Sequence, residues 1–92
     1  MTKFEIFVST TASKELNKLE SKAKERIKRI VREISADPSN FKGRFDIKKL
    51  AGKKRTYYRL RVGDYRIIYF LEDNMVKVVR VATRSDAYPW LE

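Results

Sequence analysis

The sequence predicts an α+β domain in which a two-helix antiparallel hairpin packs on an antiparallel sheet of four to five strands. Apolar residues recur with a helical period of about 3.6 between residues 10 and 36, and alternate with polar residues before and after that segment. Two short polar turns divide the second half into strand-length runs. A chain of 92 residues has material for one core, so we expect one domain over residues 1–92.

The first two predicted elements are a strand and a short helix. Apolar Phe4, Ile6 and Val8 alternate with polar neighbours, which indicates an opening strand with one buried face. A hydroxyl of the segment 9–11 can cap the helix that follows. The apolar stripe of that helix consists of Ala12, Leu16 and Leu19.

A longer helix is predicted to begin near Ser21. Its single apolar stripe follows i, i+4, i+7, i+8 and i+11 on an otherwise charged cylinder. The stripe consists of Ala23, Ile27, Ile30, Val31 and Ile34. The segment 37–40 ends the helix, because Pro38 disfavours helical geometry at Asp37.

Four further strands are predicted after residue 46, where the apolar period becomes 2. They cover Ile47–Leu50, Tyr57–Val62, Tyr65–Glu72 and Met75–Thr83. Gly63-Asp64 has the length and composition of a two-residue type II′-like hairpin turn, and Asp73-Asn74 is a second turn candidate.

The first tight turn fixes a cross-strand register in which Arg61 lies opposite Arg66. Alternation then places Arg59 beside them, on the face away from Leu60 and Ile67. Directly opposed like charges destabilise a sheet by up to about 1 kcal/mol, and acidic residues are scarce nearby. An external phosphate would offset this repulsion, since planar guanidinium groups match phosphate oxygens. The alternative is that the arginines merely keep an exposed sheet face soluble.

The formal net charge is +10, and residues 21–66 hold sixteen of the basic side chains against five acidic ones. Such a block fits nucleic acid, an acidic protein or an anionic membrane surface. The chain contains no cysteine and no histidine, which excludes disulfides, thiolate zinc sites and the usual neutral-pH general base. No apolar run is long enough to cross a bilayer, so we expect a soluble cytoplasmic protein.

Tyrosines accompany the arginines. Tyr57 is predicted to share the arginine-bearing face, and Tyr88 follows Arg84 by four residues. A tyrosine beside guanidinium groups can stack on an unpaired base. The remaining large aromatics are expected in the core or at its rim, namely Tyr58, Tyr65, Tyr69 and Trp90.

The segments 58–69 (YRLRVGDYRIIY) and 79–88 (VRVATRSDAY) resemble the central hairpin and the C-terminal segment of the RelE/ParE toxin superfamily. The resemblance covers essentially the whole chain. It implies a ribosome-dependent messenger RNA endonuclease that needs neither metal nor cofactor, in which a 2′-hydroxyl attacks the adjacent phosphate. It also implies an acidic RelB-like antitoxin, with a toxin–antitoxin heterotetramer as one possible assembly, and no membrane partner.

The resemblance implies catalytic roles for four side chains. Arg66 would neutralise the scissile phosphate, Arg84 would stabilise the transition state or assist the leaving oxygen, and Tyr88 would orient the reacting nucleotide. Arg61 completes this set, although some RelE members carry lysine at that position and at Arg59. The predicted RNA-binding residues are Arg59, Lys48, Lys49, Lys53, Lys54 and Tyr57.

Two departures from the family pattern leave the general base unassigned. Arginine hardly loses its proton, and Thr83 stands where many relatives have histidine or another basic residue. Lys48, Lys49 or Tyr88 could serve as base, or ribosomal RNA could supply it. Two other functions stay open: a ParE-like toxin that inhibits gyrase without nuclease activity, and an inert module that binds nucleic acid or antitoxin.

Overall fold

The computed structural model describes residues 4–36, 45–51 and 55–83. Within these ranges the elements are β1 (Glu5–Val8), α1 (Thr10–Asn17), α2 (Ser21–Ala36), β2 (Ile47–Ala51), β3 (Thr56–Val62), β4 (Tyr65–Glu72) and β5 (Met75–Thr83). The strands form one sheet in the order β1-β5-β4-β3-β2, and the helices cover one of its faces. The predicted fold class and element order are confirmed.

One pairing differs from the prediction of an antiparallel sheet. β1 runs parallel to β5, with Glu5 aligned with Met75 and Val8 with Val78, so the sheet is mixed. Alternation along a strand identifies its two faces but carries no information about the direction of its neighbour. Three antiparallel pairings connect β2, β3, β4 and β5 in succession, and β1 lies at the other side of β5 and runs in the same direction as β5.

β1 is also more exposed than its alternation predicts. Ile6, Phe7 and Val8 keep 37%, 49% and 38% of their surface, although a buried face was expected. β1 lies at the edge of the sheet, where one side has no neighbouring strand among the described residues. Ile6 and Val8 line a cavity of about 240 Å³ between β1 and the helices, which leaves them partly open.

The helices begin as predicted. The Ser9 side-chain oxygen accepts a hydrogen bond from the Ala12 N–H at 3.1 Å and caps α1. Leu19 lies two residues beyond the end of α1, although it was assigned to the helical stripe, and it still packs against the core. The buried members of the α2 stripe are Ile27, Ile30, Val31 and Ile34. The predicted stop at 37–40 lies outside the described residues, and no described helix could span a membrane.

Side chains of the α1 region protect β5 where β1 ends. The Ser9 hydroxyl donates to the Val79 carbonyl at 3.2 Å, and the Val81 N–H donates to Glu15 Oε1 at 2.8 Å. Glu15 also pairs with Arg80 at 2.9 Å. These bonds satisfy backbone groups that an open strand edge would leave exposed.

Both predicted hairpin turns are confirmed by their backbone angles. Gly63 has φ +58°, whereas Asp64 is not among the described non-glycine residues with positive φ, as a type II′ turn requires. Asp73 and Asn74 have φ +52° and +61°, as in a type I′ turn. Each turn therefore fixes the register of the strand ends that it joins.

The core lies between the helices and the sheet, and it contains an unpartnered hydroxyl. Tyr69 is buried on the helix side of β4 and stacks on Tyr58 with ring centroids 5.5 Å apart. Its hydroxyl has no hydrogen-bond partner among the described residues. Burial, followed by the charge of Tyr58, raises the pKa of Tyr69 well above its ordinary value.

We expect Tyr69→Phe to stabilise the protein by about 1 kcal/mol, because the substitution removes a buried hydroxyl that lacks a partner. The gain should grow above about pH 10, where the unfolded tyrosine ionises but the folded one stays neutral, so that the wild type loses stability with rising pH. Urea denaturation at neutral and alkaline pH measures both effects. Tyr65→Phe, at a partly buried tyrosine, is the control. An unchanged or reduced stability of Tyr69→Phe would contradict the conclusion that the Tyr69 hydroxyl is buried without a hydrogen-bond partner.

Candidate nucleic-acid interface

The face of β2, β3 and β4 that points away from the helices is here called the arginine face, and the charged side chains at its end near Gly63 are Asp46, Lys48, Arg59, Arg61 and Arg66. Leu60 and Ile67 pair across β3 and β4 and belong to the core, so their neighbours Arg61 and Arg66 lie on the opposite face. The structure confirms the predicted pairing of Arg61 with Arg66. Alternation along β3 adds Arg59 to the same face.

Arg66 is buried, with 6% of its surface exposed. Its Nη1 donates to the carbonyls of Tyr65 at 3.3 Å and Gly63 at 3.5 Å, which are long contacts to neutral groups. No carboxylate of the described residues lies within 4.0 Å of its guanidinium. A buried cation requires compensation, so this side chain is suited to an external anion.

The carboxylate of Asp46 compensates part of the positive charge of the other two arginines, Arg59 and Arg61. Asp46 Oδ1 accepts from Arg59 Nη2 at 2.7 Å, while Asp46 Oδ2 lies 3.9 Å from Arg61 Nη1. The Arg59 side chain is 14% exposed, against 53% for that of Arg61. Arg59, which was predicted to bind RNA directly, is therefore held in an internal ion pair, whereas Arg61 faces solvent.

The burial of Arg66 and Arg59 argues against the alternative that these arginines only solubilise an exposed sheet. On the same face Ile68 is fully buried and Phe70 nearly so, although both point away from the helices. The arginine face is thus partly covered and holds two of its cations in a desolvated setting. Charges in such a setting act more strongly than charges in water.

The other predicted RNA-binding residues are divided between the two faces. Lys48 pairs with Arg59 and is exposed on the arginine face. Lys49 pairs with Tyr58, which packs towards the core, so alternation places Lys49 on the helix side. Tyr57 is on the arginine face, half-buried, with its ring perpendicular to that of Phe70 at 5.7 Å.

Phe70 marks a second group of charges at the far end of this face. The Arg55 guanidinium lies 4.2 Å from the Phe70 ring centroid and 3.6 Å from Glu72. Lys77 donates to Glu72 at 2.8 Å, and this hydrogen bond, with the charges of Lys77 and Arg55, holds the pKa of Glu72 below its usual value. These cations are compensated within the fold, unlike Arg66.

Four predicted site residues lie outside the described residues: Arg84, Tyr88, Lys53 and Lys54. Thr83, the last residue of β5, pairs with Tyr65, and Ala82 pairs with Arg66. β5 therefore ends beside Arg66. The convergence of Arg84 and Tyr88 on this site stays a prediction.

Sequence reasoning missed the role of Asp46. It precedes β2 by one residue, and its carbonyl accepts from the Arg61 N–H at 2.9 Å, which extends the β2–β3 ladder. That position opposite Arg61 depends on the register of β2 with β3, which the sequence analysis did not predict. The described residues contain no group of three or more acidic side chains placed to hold a metal ion.

Comparisons with known proteins agree with the architecture. The sequence pattern of the ParE toxin of the type II toxin–antitoxin system parDE matches residues 6–88. Toxin RelE3 of Methanocaldococcus jannaschii is 32% identical over 85 residues, which cover 92% of this chain and 96% of that protein.

Two solved complexes contain chains with the same fold. One is the archaeal RelE–RelB complex from Pyrococcus horikoshii OT3, with TM-score 0.76, 28% identity, and 95% of this chain and 100% of that chain covered. The other is the RelB–RelE antitoxin–toxin complex from Methanococcus jannaschii, with TM-score 0.72, 29% identity, and coverage of 94% and 99%.

Proposed function

We propose that this chain, which belongs to the ParE toxin family of type II toxin–antitoxin systems, cuts messenger RNA on the ribosome. The family makes the protein a RelE-like toxin of such a system. The nuclease proposal rests above all on one observation: the buried Arg66 lies opposite the exposed Arg61. The hydrogen-bond partners of Arg66 among the described residues are neutral carbonyls. A phosphodiester would compensate both charges.

The proposed reaction is an internal transesterification. The 2′-oxygen of a nucleotide forms a bond to the adjacent phosphorus, the bond from phosphorus to the 5′-oxygen breaks, and a 2′,3′-cyclic phosphate remains. One proton leaves the 2′-hydroxyl and one is delivered to the departing 5′-oxygen. Negative charge accumulates on the phosphoryl oxygens in the transition state, where Arg66 and Arg61 are the proposed stabilising groups.

The remaining roles follow the resemblance and stay proposals. Arg84 would act on the leaving oxygen and Tyr88 would orient the nucleotide. Lys48 is the better placed of the two lysines considered as general base, since alternation puts it on the arginine face and Lys49 on the other. Lys53, Lys54 and Tyr57 would contact the RNA on either side of the scissile phosphate.

The partner of the toxin is a RelB-like antitoxin. The solved relatives named above are complexes of RelE with RelB, and a chain of net charge +10 favours an acidic partner. Opposite charges of this size accelerate association and suppress wrong partners.

The nuclease proposal is tested by adding purified protein to translating ribosomes and mapping the transcript ends. We expect new ends within the decoding site, carrying 2′,3′-cyclic phosphate, and cleavage that depends on the ribosome. Intact transcripts over a wide range of protein concentration would overturn the proposal.

The match to the ParE pattern favours a second candidate, inhibition of DNA gyrase without RNA cleavage. A gyrase supercoiling assay with the same preparation separates the two. Loss of supercoiling activity together with intact transcripts would support the gyrase function. Cleaved transcripts with unaffected gyrase would support the nuclease.

A further inference from the structure

Asp46 is the only carboxylate of the described residues that pairs with Arg59 or Arg61. One of its oxygens is in hydrogen-bond contact with Arg59, and the other is too far from Arg61 for a hydrogen bond. Its main chain is fixed by the bond between its carbonyl and the Arg61 N–H. The carboxylate of Asp46 is thus hydrogen-bonded to Arg59 and has only a long electrostatic contact with Arg61.

The two arginines differ accordingly. Arg59 is mostly buried, and its Nε has no hydrogen-bond partner among the described residues, so Asp46 supplies its principal compensation. Arg61 is half exposed and lies opposite Arg66. An incoming phosphate can draw Arg61 away from Asp46 at little cost, because their contact is long and exposed to solvent.

We infer that Asp46 is a positioning residue that commits Arg59 to the scaffold and leaves Arg61 and Arg66 to bind phosphate. The negative charge of Asp46 also repels a phosphate that approaches the Arg59 end of the face. The backbone of RNA is thereby directed to the end that carries Arg66. This inference rests on the proposed function only in taking an RNA phosphate as the ligand.

The first experiment measures how the binding of a fluorescein-labelled single-stranded RNA depends on salt concentration. The RNA has about 12 nucleotides, a length that one single-strand binding domain can cover. Asp46→Asn should release Arg59 for one additional phosphate, which steepens the slope of log K against log salt by about 0.7. Asp73→Asn is the matched control, since it changes the net charge equally in a turn at the other end of β4. Asp46→Glu keeps the charge and should retain the wild-type slope.

Two arginine variants test the same division without removing Asp46. Arg61→Gln should reduce the slope by about 0.7, because one phosphate contact is lost. Arg59→Gln should reduce the slope by less than Arg61→Gln, because Arg59 itself contacts no phosphate and the freed Asp46 carboxylate can only compete for Arg61. Equal slopes for Asp46→Asn and Asp73→Asn, or equal losses for the two arginine variants, would overturn the inference.

The ribosome assay distinguishes this inference from the proposed function. If the wild type cuts transcripts, Asp46→Asn should bind RNA more tightly yet lower kcat by up to about 100-fold, because the phosphate is no longer held in one place. If the wild type cuts nothing, the nuclease proposal fails, while the salt slopes still decide the role of Asp46. Circular dichroism of each variant checks that it is folded.

Discussion

We expect Arg66→Ala to lower the rate of transcript cleavage by about 100- to 1,000-fold, the usual cost of removing one preorganised group that stabilises transition-state charge. Arg66 is the more deeply buried of the two buried cations of the arginine face, and its hydrogen-bond partners among the described residues are carbonyls rather than carboxylates. Burial keeps its charge from being screened by water. Single-turnover cleavage on ribosomes measures the effect.

Two further variants show which property of Arg66 matters. Arg66→Lys keeps the charge but loses the planar fork that binds two phosphate oxygens, so its rate should fall between those of the wild type and Arg66→Ala. Arg55→Ala is the matched control, because Arg55 is compensated by Glu72 and packs on Phe70. Cleavage by Arg66→Ala at the wild-type rate would exclude Arg66 from the chemistry, whatever the function of Arg61.

The largest effect on stability is expected from Ile67→Ala. Ile67 is fully buried in β4, which lies between β3 and β5, and it packs in the core under the helices. Truncating such a side chain costs about 2–5 kcal/mol, because apolar contacts are lost and a cavity remains. A domain of this size has about 5–15 kcal/mol of stability in total, and each kcal/mol corresponds to about 4–8 °C in Tm.

Ile6→Ala provides the comparison for this loss. This substitution removes the same atoms from the edge strand β1, where Ile6 is partly exposed. We expect it to lower the free energy of unfolding by about 1 kcal/mol or less. Urea denaturation of both variants measures the difference, and an equal cost would contradict the placement of β4 at the centre of the sheet.

Much of the candidate site could be predicted from local sequence signals. A two-residue turn at Gly63-Asp64 leaves only one register for its strands, and a period of 2 then fixes which side chains share a face. These two facts together predicted the pairing of Arg61 with Arg66, which the structure confirms. The α2 stripe was equally predictable, because a period of 3.6 identifies the buried side of a helix without knowledge of what it contacts.

Other features depend on contacts between residues far apart in the chain. Glu15 covers the edge of β5 across more than sixty residues of sequence, and its pattern in α1 gives no sign of that partner. The register shift between Ile68 and Tyr69 keeps Val78 and Val81 both in the core despite their odd spacing, which simple alternation does not predict.

The sequence by itself determined the elements, the two turns, the face of the arginines and the excess of positive charge. Each of these depends on residues close together in the chain, whose spacing and backbone preferences are sufficient. The tertiary structure alone decided the direction of β1, the burial of Arg66 and the pairing of Asp46 with Arg59. These depend on which distant surfaces meet, and there the free energy of burial and of compensated charge selects the arrangement.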